Sequence, residues 1–398
     1  LNQANIDKTQ GSDPLKLDRE EKLFMVALSL SLALRQLGLL MVIPFISVYV
    51  LKLKGGTPAL AGLALGVYGL VQALLQIPYG FVSDRLGRKP VLLFGQIVFA
   101  VGYFSAAFAS TVFGFLIARI LQGMGAVSSV IYAWVGDSVE PSKRNRAMGI
   151  LGASMGISAS LSFVAGPILY SIGGMRLLLL LTGVLTLIAT LLVVFYVHET
   201  PRSKKKRASA DGGVQVKFKD ILNLMLMFIF LAGLISNYFM ISFFYGLPLL
   251  ATKIIPESSL WIIYVPASLI GILILRPAVK FADRGKEALL VSLSFVLSGS
   301  SFIALQAAEN VFFFQTAAFL LFSGYMVLTS LLPSMITKMV DARIRGTTTG
   351  IYNTLQFIGS FLGGSLTGLL WSFSPGIALL VPVLLGIAAA IAAIAFIR

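Results

Sequence analysis

The chain has 398 residues, 57% of them hydrophobic and 12% charged, with a mean hydropathy of +0.92. A soluble domain carries about twice that charged fraction, and no soluble core hides so many apolar runs of about twenty residues, the length at which a helix crosses a bilayer. The formal net charge of +15 does not mark a nucleic-acid binder, because Lys and Arg fall in short stretches between apolar runs and not on a basic face.

Residues 1–22 are polar and lack the apolar core of a cleavable signal, so they read as a cytoplasmic tail. Apolar runs follow at about 23–51, 58–80, 90–110, 112–135, 146–170 and 176–197, a first bundle spanning 23–197. A basic stretch at 198–220 reads as a cytoplasmic linker. The second bundle, 221–398, has runs at about 221–250, 259–280, 287–308, 310–335, 347–372 and 375–397. These runs are continuous, not alternating, and therefore helices rather than barrel strands. The expected fold class is all-α integral membrane, with twelve transmembrane helices in two pseudo-symmetric six-helix bundles.

Of the 31 Lys and Arg, only Lys52, Lys54, Arg176 and Lys253 fall on the side away from the amino terminus, and Arg35 and Arg119 lie within spans. The positive-inside rule then makes both termini and the linker cytoplasmic, in a multi-pass protein of the cell (inner) membrane. The halves echo each other: Pro78 and Asp84–Arg85 recur at one spacing as Pro277 and Asp283–Arg284, and Arg144–Gly149 recurs as Arg345–Gly350. Repeated six-helix halves are a transporter pattern, with the substrate site near mid-membrane between them. Cys is absent, which removes disulfides and thiol chemistry. No nucleotide-binding loop, metal constellation or nucleophile–base pair stands out, so neither a cofactor nor enzymatic activity is expected.

Residues 80–93, GFVSDRLGRKPVLL, place a charged knot between two apolar runs. A short hairpin needs Gly to turn and Asp to accept from exposed backbone donors, and a carboxylate favours the positive end of a neighbouring helix. This stretch resembles the signature of the major facilitator superfamily between its second and third helices. LIARILQGMGA at Leu116–Ala126 is similar to the fourth-helix arginine motif of that family's twelve-helix drug:proton antiporter branch. GASMGISASLSFVAGPI at Gly152–Ile168 partly matches its fifth-helix glycine motif, with the Gly pair displaced to Gly173–Gly174, and HET at 198–200 resembles the acidic turn closing the sixth helix. The resemblance implies a conformational latch of Gly80, Asp84, Arg85, Gly87, Arg88 and Asp137. Asp84 would sit at the amino end of the eleventh helix near Gly346–Thr347, and Arg88 would pair with Asp137. Such contacts would hold the outward-facing state.

An arginine at membrane depth is costly and usually faces a cavity or a partner. Arg35 and Arg119 are accordingly candidates for proton coupling or anion binding, with Asp137 a further candidate. Gln122 shares a face with Arg119, Gln36 adjoins Arg35, and Gln72 and Gln76 share a face of the second helix. In the second half Asn237–Tyr238 interrupts the seventh run, Tyr325 lies in the tenth, and Tyr352, Asn353 and Gln356 cluster in the eleventh. Gln36, Gln72, Gln122, Asn237, Tyr238, Tyr325, Tyr352, Asn353 and Gln356 are the candidate cavity lining. Gly152 and Gly156, one turn apart, are expected to permit close helix packing. The 16 carboxylates all lie in tails, loops or helix ends, so proton coupling comes from the resemblance alone. Glu140, Glu287, Glu309 and His198 are boundary groups.

The resemblance implies a secondary active transporter that exports small amphipathic molecules or drugs by alternating access, in exchange for protons. Its partners would be a small-molecule substrate, protons and membrane lipids, with a monomer as the working unit. Two alternatives stay open. One is a proton-independent uniporter or exchanger of an organic anion, motivated by the two intramembrane arginines. The other is a non-transporting membrane sensor or lipid-handling scaffold.

Overall fold

The computed structural model describes residues 19–140, 143–198, 223–282, 284–340 and 344–397. Among them the regular structure is helical, apart from one isolated bridge between Lys54 and Thr111. Most of the tail and linker, Glu199–Thr200 of the acidic turn, and Asp283 of the repeat lie outside the described residues.

The first span has three pieces, Arg19–Val42, a tight turn Ile43–Phe45, and Ile46–Lys52. Pro44 lacks an amide hydrogen and interrupts the ladder there. The second span, Pro58–Leu86, begins at Thr57, whose hydroxyl accepts from the Leu60 amide at 3.3 Å. Gly87 joins it to the third, Arg88–Ala107, at φ 114, a backbone state that a side chain would strain. The fourth span is broken into Val112–Met124 and Ser128–Ser138. The long element Arg144–Tyr196 is two helices, the fifth and sixth spans, meeting at Gly174 with φ 63 and ψ −163. The seventh to twelfth spans are Leu224–Ala251, Trp261–Ala282, Glu287–Gln306, Val311–Met339, Arg345–Phe373 and Pro375–Phe396.

Ten elements are long and apolar enough to cross a bilayer. Arg144–Tyr196 counts twice, and Arg345–Phe373, more polar but 29 residues long, reaches across at about 1.5 Å per residue. The expected twelve crossings result. The seventh span, however, is not interrupted at Asn237–Tyr238. Asn237 donates its amide to the Gly233 carbonyl one turn back at 3.3 Å, which satisfies the side chain without breaking the helix.

The halves meet chiefly where the second and eleventh spans cross. A Cβ on Gly62 would lie 2.3 Å from the Gly364 carbonyl oxygen, one on Gly66 2.5 Å from that of Phe361, and one on Gly69 2.7 Å from that of Phe357. Small residues at these positions let the backbones touch. Around this seam Tyr245 donates to the Pro58 carbonyl at 2.9 Å, and Phe163 packs edge-on against Phe322 with ring centres 4.9 Å apart. Glu257, between the seventh and eighth spans, takes both the Lys52 ammonium and the Tyr170 hydroxyl of the first half. All of these contacts lie toward the Lys52–Pro58 ends of the helices.

Toward the Leu86–Arg88 ends, glycines of the described residues are loosely surrounded. A Cβ on Gly80, Gly149, Gly152, Gly156 or Gly350 would meet nothing within 4 Å. The close packing expected at Gly152 and Gly156 is therefore absent, because this part of the fifth span faces open space. The cross-half contacts named above all gather at one face.

Because the seam closes backbone to backbone, Gly66→Ala should push the second and eleventh spans apart. Spin labels on cysteines introduced at Thr57 and Ser374 of the otherwise Cys-free chain should report a longer distance than in the Gly66 protein. An unchanged distance distribution would mean the seam absorbs the methyl group without opening.

Candidate functional site

At the open face the charged knot folds on itself. Arg88, 7% exposed, donates from Nε and Nη2 to Oδ2 of Asp137 at 3.2 and 2.8 Å. Its Nη1 donates to Ser83 Oγ, which in turn donates to the Gly80 carbonyl at 2.7 Å. Lys89 reaches the Val194 carbonyl on the sixth span at 2.9 Å, and the Arg85 guanidinium lies 4.2 Å over the Phe81 ring. The expected Arg88–Asp137 pair is thus formed, tying the second, third and fourth spans together.

Asp84 does not follow the expectation. Its carboxylate pairs with Arg88 one turn along, and half of its side chain is exposed. Thr347, at the start of the eleventh span, is also exposed, and Gly80 faces open space. The physical reason is local: Arg88 stands one turn along and its guanidinium takes the Asp84 carboxylate.

Arg35 and Arg119 are not cavity walls. They are 2% and 1% exposed and held within the first half. Arg119 donates to the Ala64 carbonyl at 2.8 Å, to Gln122 Oε1 at 2.6 Å and to the Leu65 carbonyl at 3.5 Å, and its guanidinium lies 5.0 Å from the Tyr68 ring centre. Gln122 passes the chain on to the Gly102 carbonyl at 3.2 Å. Arg35 donates to the Gly125 carbonyl at 2.7 Å, to Tyr68 OH and Ser128 Oγ at 3.4 Å each, and stacks 4.4 Å from the Phe99 ring centre. A planar guanidinium with several donors can bind carbonyls and ring faces, so both arginines cross-link helices, Arg119 through all three nitrogens and Arg35 with its buried Nε left without an acceptor. Tyr68 is shared between them.

The neutral candidates divide. Gln72 and Gln122 are fully buried, Tyr238 and Tyr352 nearly so, whereas Gln36, Asn237, Tyr325, Asn353 and Gln356 are half-buried. In the second half Gln356 donates to Tyr352 OH at 3.2 Å, and Ser360 bridges the Gln356 carbonyl at 3.2 Å and Asn237 at 3.5 Å. Ser242 and Thr367 meet at 2.7 Å. The seventh and eleventh spans therefore form one polar seam beside the glycine crossing. Ser360, Ser242 and Thr367 went unremarked in the sequence, although Ser360 stands one helical turn after Gln356. Glu140, Glu309 and His198 are exposed, and Glu287 pairs with Lys338 at 2.7 Å. Among the described residues no group of three or more His, Cys, Asp or Glu converges as a metal site.

Two substitutions test these roles. Arg88→Met removes a largely buried ion pair and should lower stability by about 3 kcal/mol, the usual cost of breaking one, measured by denaturant unfolding in detergent. Arg119→Lys keeps the charge but cannot span Ala64 and Gln122 at once. Its unfolding temperature should fall well below that of the Arg119 protein, and equal temperatures would remove the cross-link.

Comparison with known proteins gives one consistent answer. The family model described as Major Facilitator Superfamily matches residues 28–364. The chain is 32% identical over 342 residues to the inner membrane transport protein YajR of Escherichia coli (strain K12), covering 84% of this chain and 74% of that protein. It is 27% identical over 316 residues to the class B tetracycline resistance protein of Escherichia coli, covering 76% and 77%. A crystal structure of a POT family transporter in complex with a thioalcohol-conjugated peptide superposes with a TM-score of 0.75 over 94% of this chain and 95% of that one, at 14% identity. With a family model matching most of its length and a relative 32% identical over 84% of it, the chain is a YajR-like transporter and belongs to the Major Facilitator Superfamily.

Proposed function

We propose that the chain exports small amphipathic molecules or drugs by alternating access, in exchange for protons, from the cell (inner) membrane, with both termini cytoplasmic and the monomer as working unit. The observation that carries the reading is the one-sided seal. Glycine contacts, Tyr245–Pro58 and the Glu257 bridge cross between halves at one end, whereas Gly80, Gly149, Gly152, Gly156 and Gly350 toward the other end each adjoin open space. With the basic loops on the cytoplasmic side, this conformation is open inward. The polar seam of Asn237, Ser360, Gln356 and Tyr352 offers neutral hydrogen-bonding groups to a substrate between the halves. A relative named for tetracycline resistance supports a drug-like cargo.

In this reading the knot is a latch that engages only when the inner ends close. Gly80 would then let the eleventh span approach, and Asp84 would move from Arg88 to the amino end of that helix, where its charge meets the helix dipole. Gly87 fixes the hairpin, and Arg85 lies beside Phe81 on the membrane rim. Arg88 and Asp137 hold the hairpin to the fourth span in both states. Asp84→Asn should therefore raise the inward-open population, read by spin labels on cysteines placed at Leu86 and Thr347. Unchanged populations would remove the latch role.

A second reading, a proton-independent exchanger of an organic anion, draws on the two buried guanidinium groups and the lack of a mid-span carboxylate in the sequence. Reconstituted vesicles loaded with a fluorescent drug separate the two. Under the antiport reading, an imposed pH gradient should accelerate efflux against the proton flow, and collapsing the gradient should abolish concentrative transport. Flux indifferent to pH would favour the exchanger, and cargo that binds without flux would favour the non-transporting scaffold.

A further inference from the structure

We propose that the break in the fourth span, backed by Arg35, is a docking site for one anionic group at mid-membrane. The inference rests on the transporter reading above and adds the charge of what the protein carries or co-binds.

The fourth span is interrupted between Met124 and Ser128, near the middle of the stretch Val112–Ser138. Its second piece, Ser128–Ser138, therefore opens a new helix amino terminus within the membrane, and no side chain caps it. The first amide hydrogens of a helix have no acceptor inside it, and the dipole adds positive potential there. Half-helices that begin at membrane depth present this end to anionic groups.

Arg35 is the independent observation. It arrives from the first span at the same break, donating to the Gly125 carbonyl at 2.7 Å and to Ser128 Oγ at 3.4 Å. The residue is 2% exposed, and its buried Nε–H has no acceptor. Gln72 occupies the same layer. It stands one turn from Tyr68, which accepts from Arg35 at 3.4 Å, and one turn from Gln76, whose carbonyl accepts from Ser129 Oγ at 3.0 Å. Gln72 is fully buried, with neither its amide nitrogen nor its oxygen paired.

The sequence supplies no balancing charge. There is no Asp or Glu at 22–83 or 85–136, and Asp137 is engaged by Arg88. Arg119 sits in similar depth but is matched on Nε, Nη1 and Nη2 by carbonyl acceptors. Arg35 instead combines an unused donor with an uncapped helix end and an idle amide. A buried cation is costly unless paired, and one anion at this point would meet all three. The half-buried Ser128 and Ser129 leave the break open to it. One guanidinium and one helix end match a single negative charge, from a carboxylate on the cargo or from chloride.

The test uses the purified full chain in detergent, heated while sodium chloride or sodium benzoate replaces sodium isethionate at constant ionic strength. The unfolding midpoint should rise saturably with at least one salt, and Arg35→Gln and Ser128→Val should each weaken half-saturation by about tenfold. Saturation by chloride alone assigns the inorganic ion, and by benzoate alone a carboxylate on the cargo. Saturation by both assigns the charge itself as what is recognised. Should Arg35→Gln not fold, Ser128→Val, which keeps the guanidinium, carries the comparison. No saturable rise with either salt, or identical half-saturation in the unsubstituted protein and the folded variants, overturns the site. No flux enters this assay, so a missing anion response beside pH-driven efflux sinks only the site. An anion response without flux leaves the site standing and sinks the transporter reading.

Discussion

Backbone contact between the second and eleventh spans is the constraint on which the rest depends. Gly62, Gly66 and Gly69 face Phe357, Phe361, Gly364 and Gly368 with no room for a Cβ at the glycines. In a lipid environment apolar side chains gain little by leaving the solvent, so association relies on close van der Waals contact and hydrogen bonds. A seam of small residues supplies that contact over a short length of two long helices. Beyond it the helices are free to diverge, and they do.

The divergence explains where the ionic groups sit. At the sealed end, Glu257 joins Lys52 and Tyr170 across the halves. At the open end, Arg88–Asp137, Lys143–Glu21 and Lys338–Glu287 each join helices of one half. Pairs within a half survive any rocking between halves, whereas pairs across it favour one state. Each of these pairs is kept when one half moves against the other. Arg119 is likewise bound to carbonyl and amide oxygens of its own half.

Two helices of the first half are broken. Pro44 interrupts the first span, and the stretch after Met124 interrupts the fourth. Irregular backbone inside a membrane is tolerated where protein covers it or where it lines a cavity. Here Arg35 binds the freed Gly125 carbonyl, which meets that requirement on one side of the break. On the other side, the amide end of Ser128–Ser138 has no side-chain cap, and that asymmetry gives the site its positive character.

The continuous apolar runs alone determined the all-helical class and the twelve crossings, because a bilayer leaves a chain few ways to satisfy its backbone. The Arg88–Asp137 pair was expected only through the resemblance of Gly80–Leu93 to the family signature, and both residues lie within one half. What the sequence could not decide was any contact that depends on the relation of the halves. Asp84 turned to Arg88, and Gly152 and Gly156 faced open space, because one linear chain is compatible with more than one arrangement of its bundles. Nor could residue type tell a cavity-lining arginine from a cross-linking one. The burial of Arg35 and Arg119 follows from which carbonyls the neighbouring helices present, and only tertiary packing sets that.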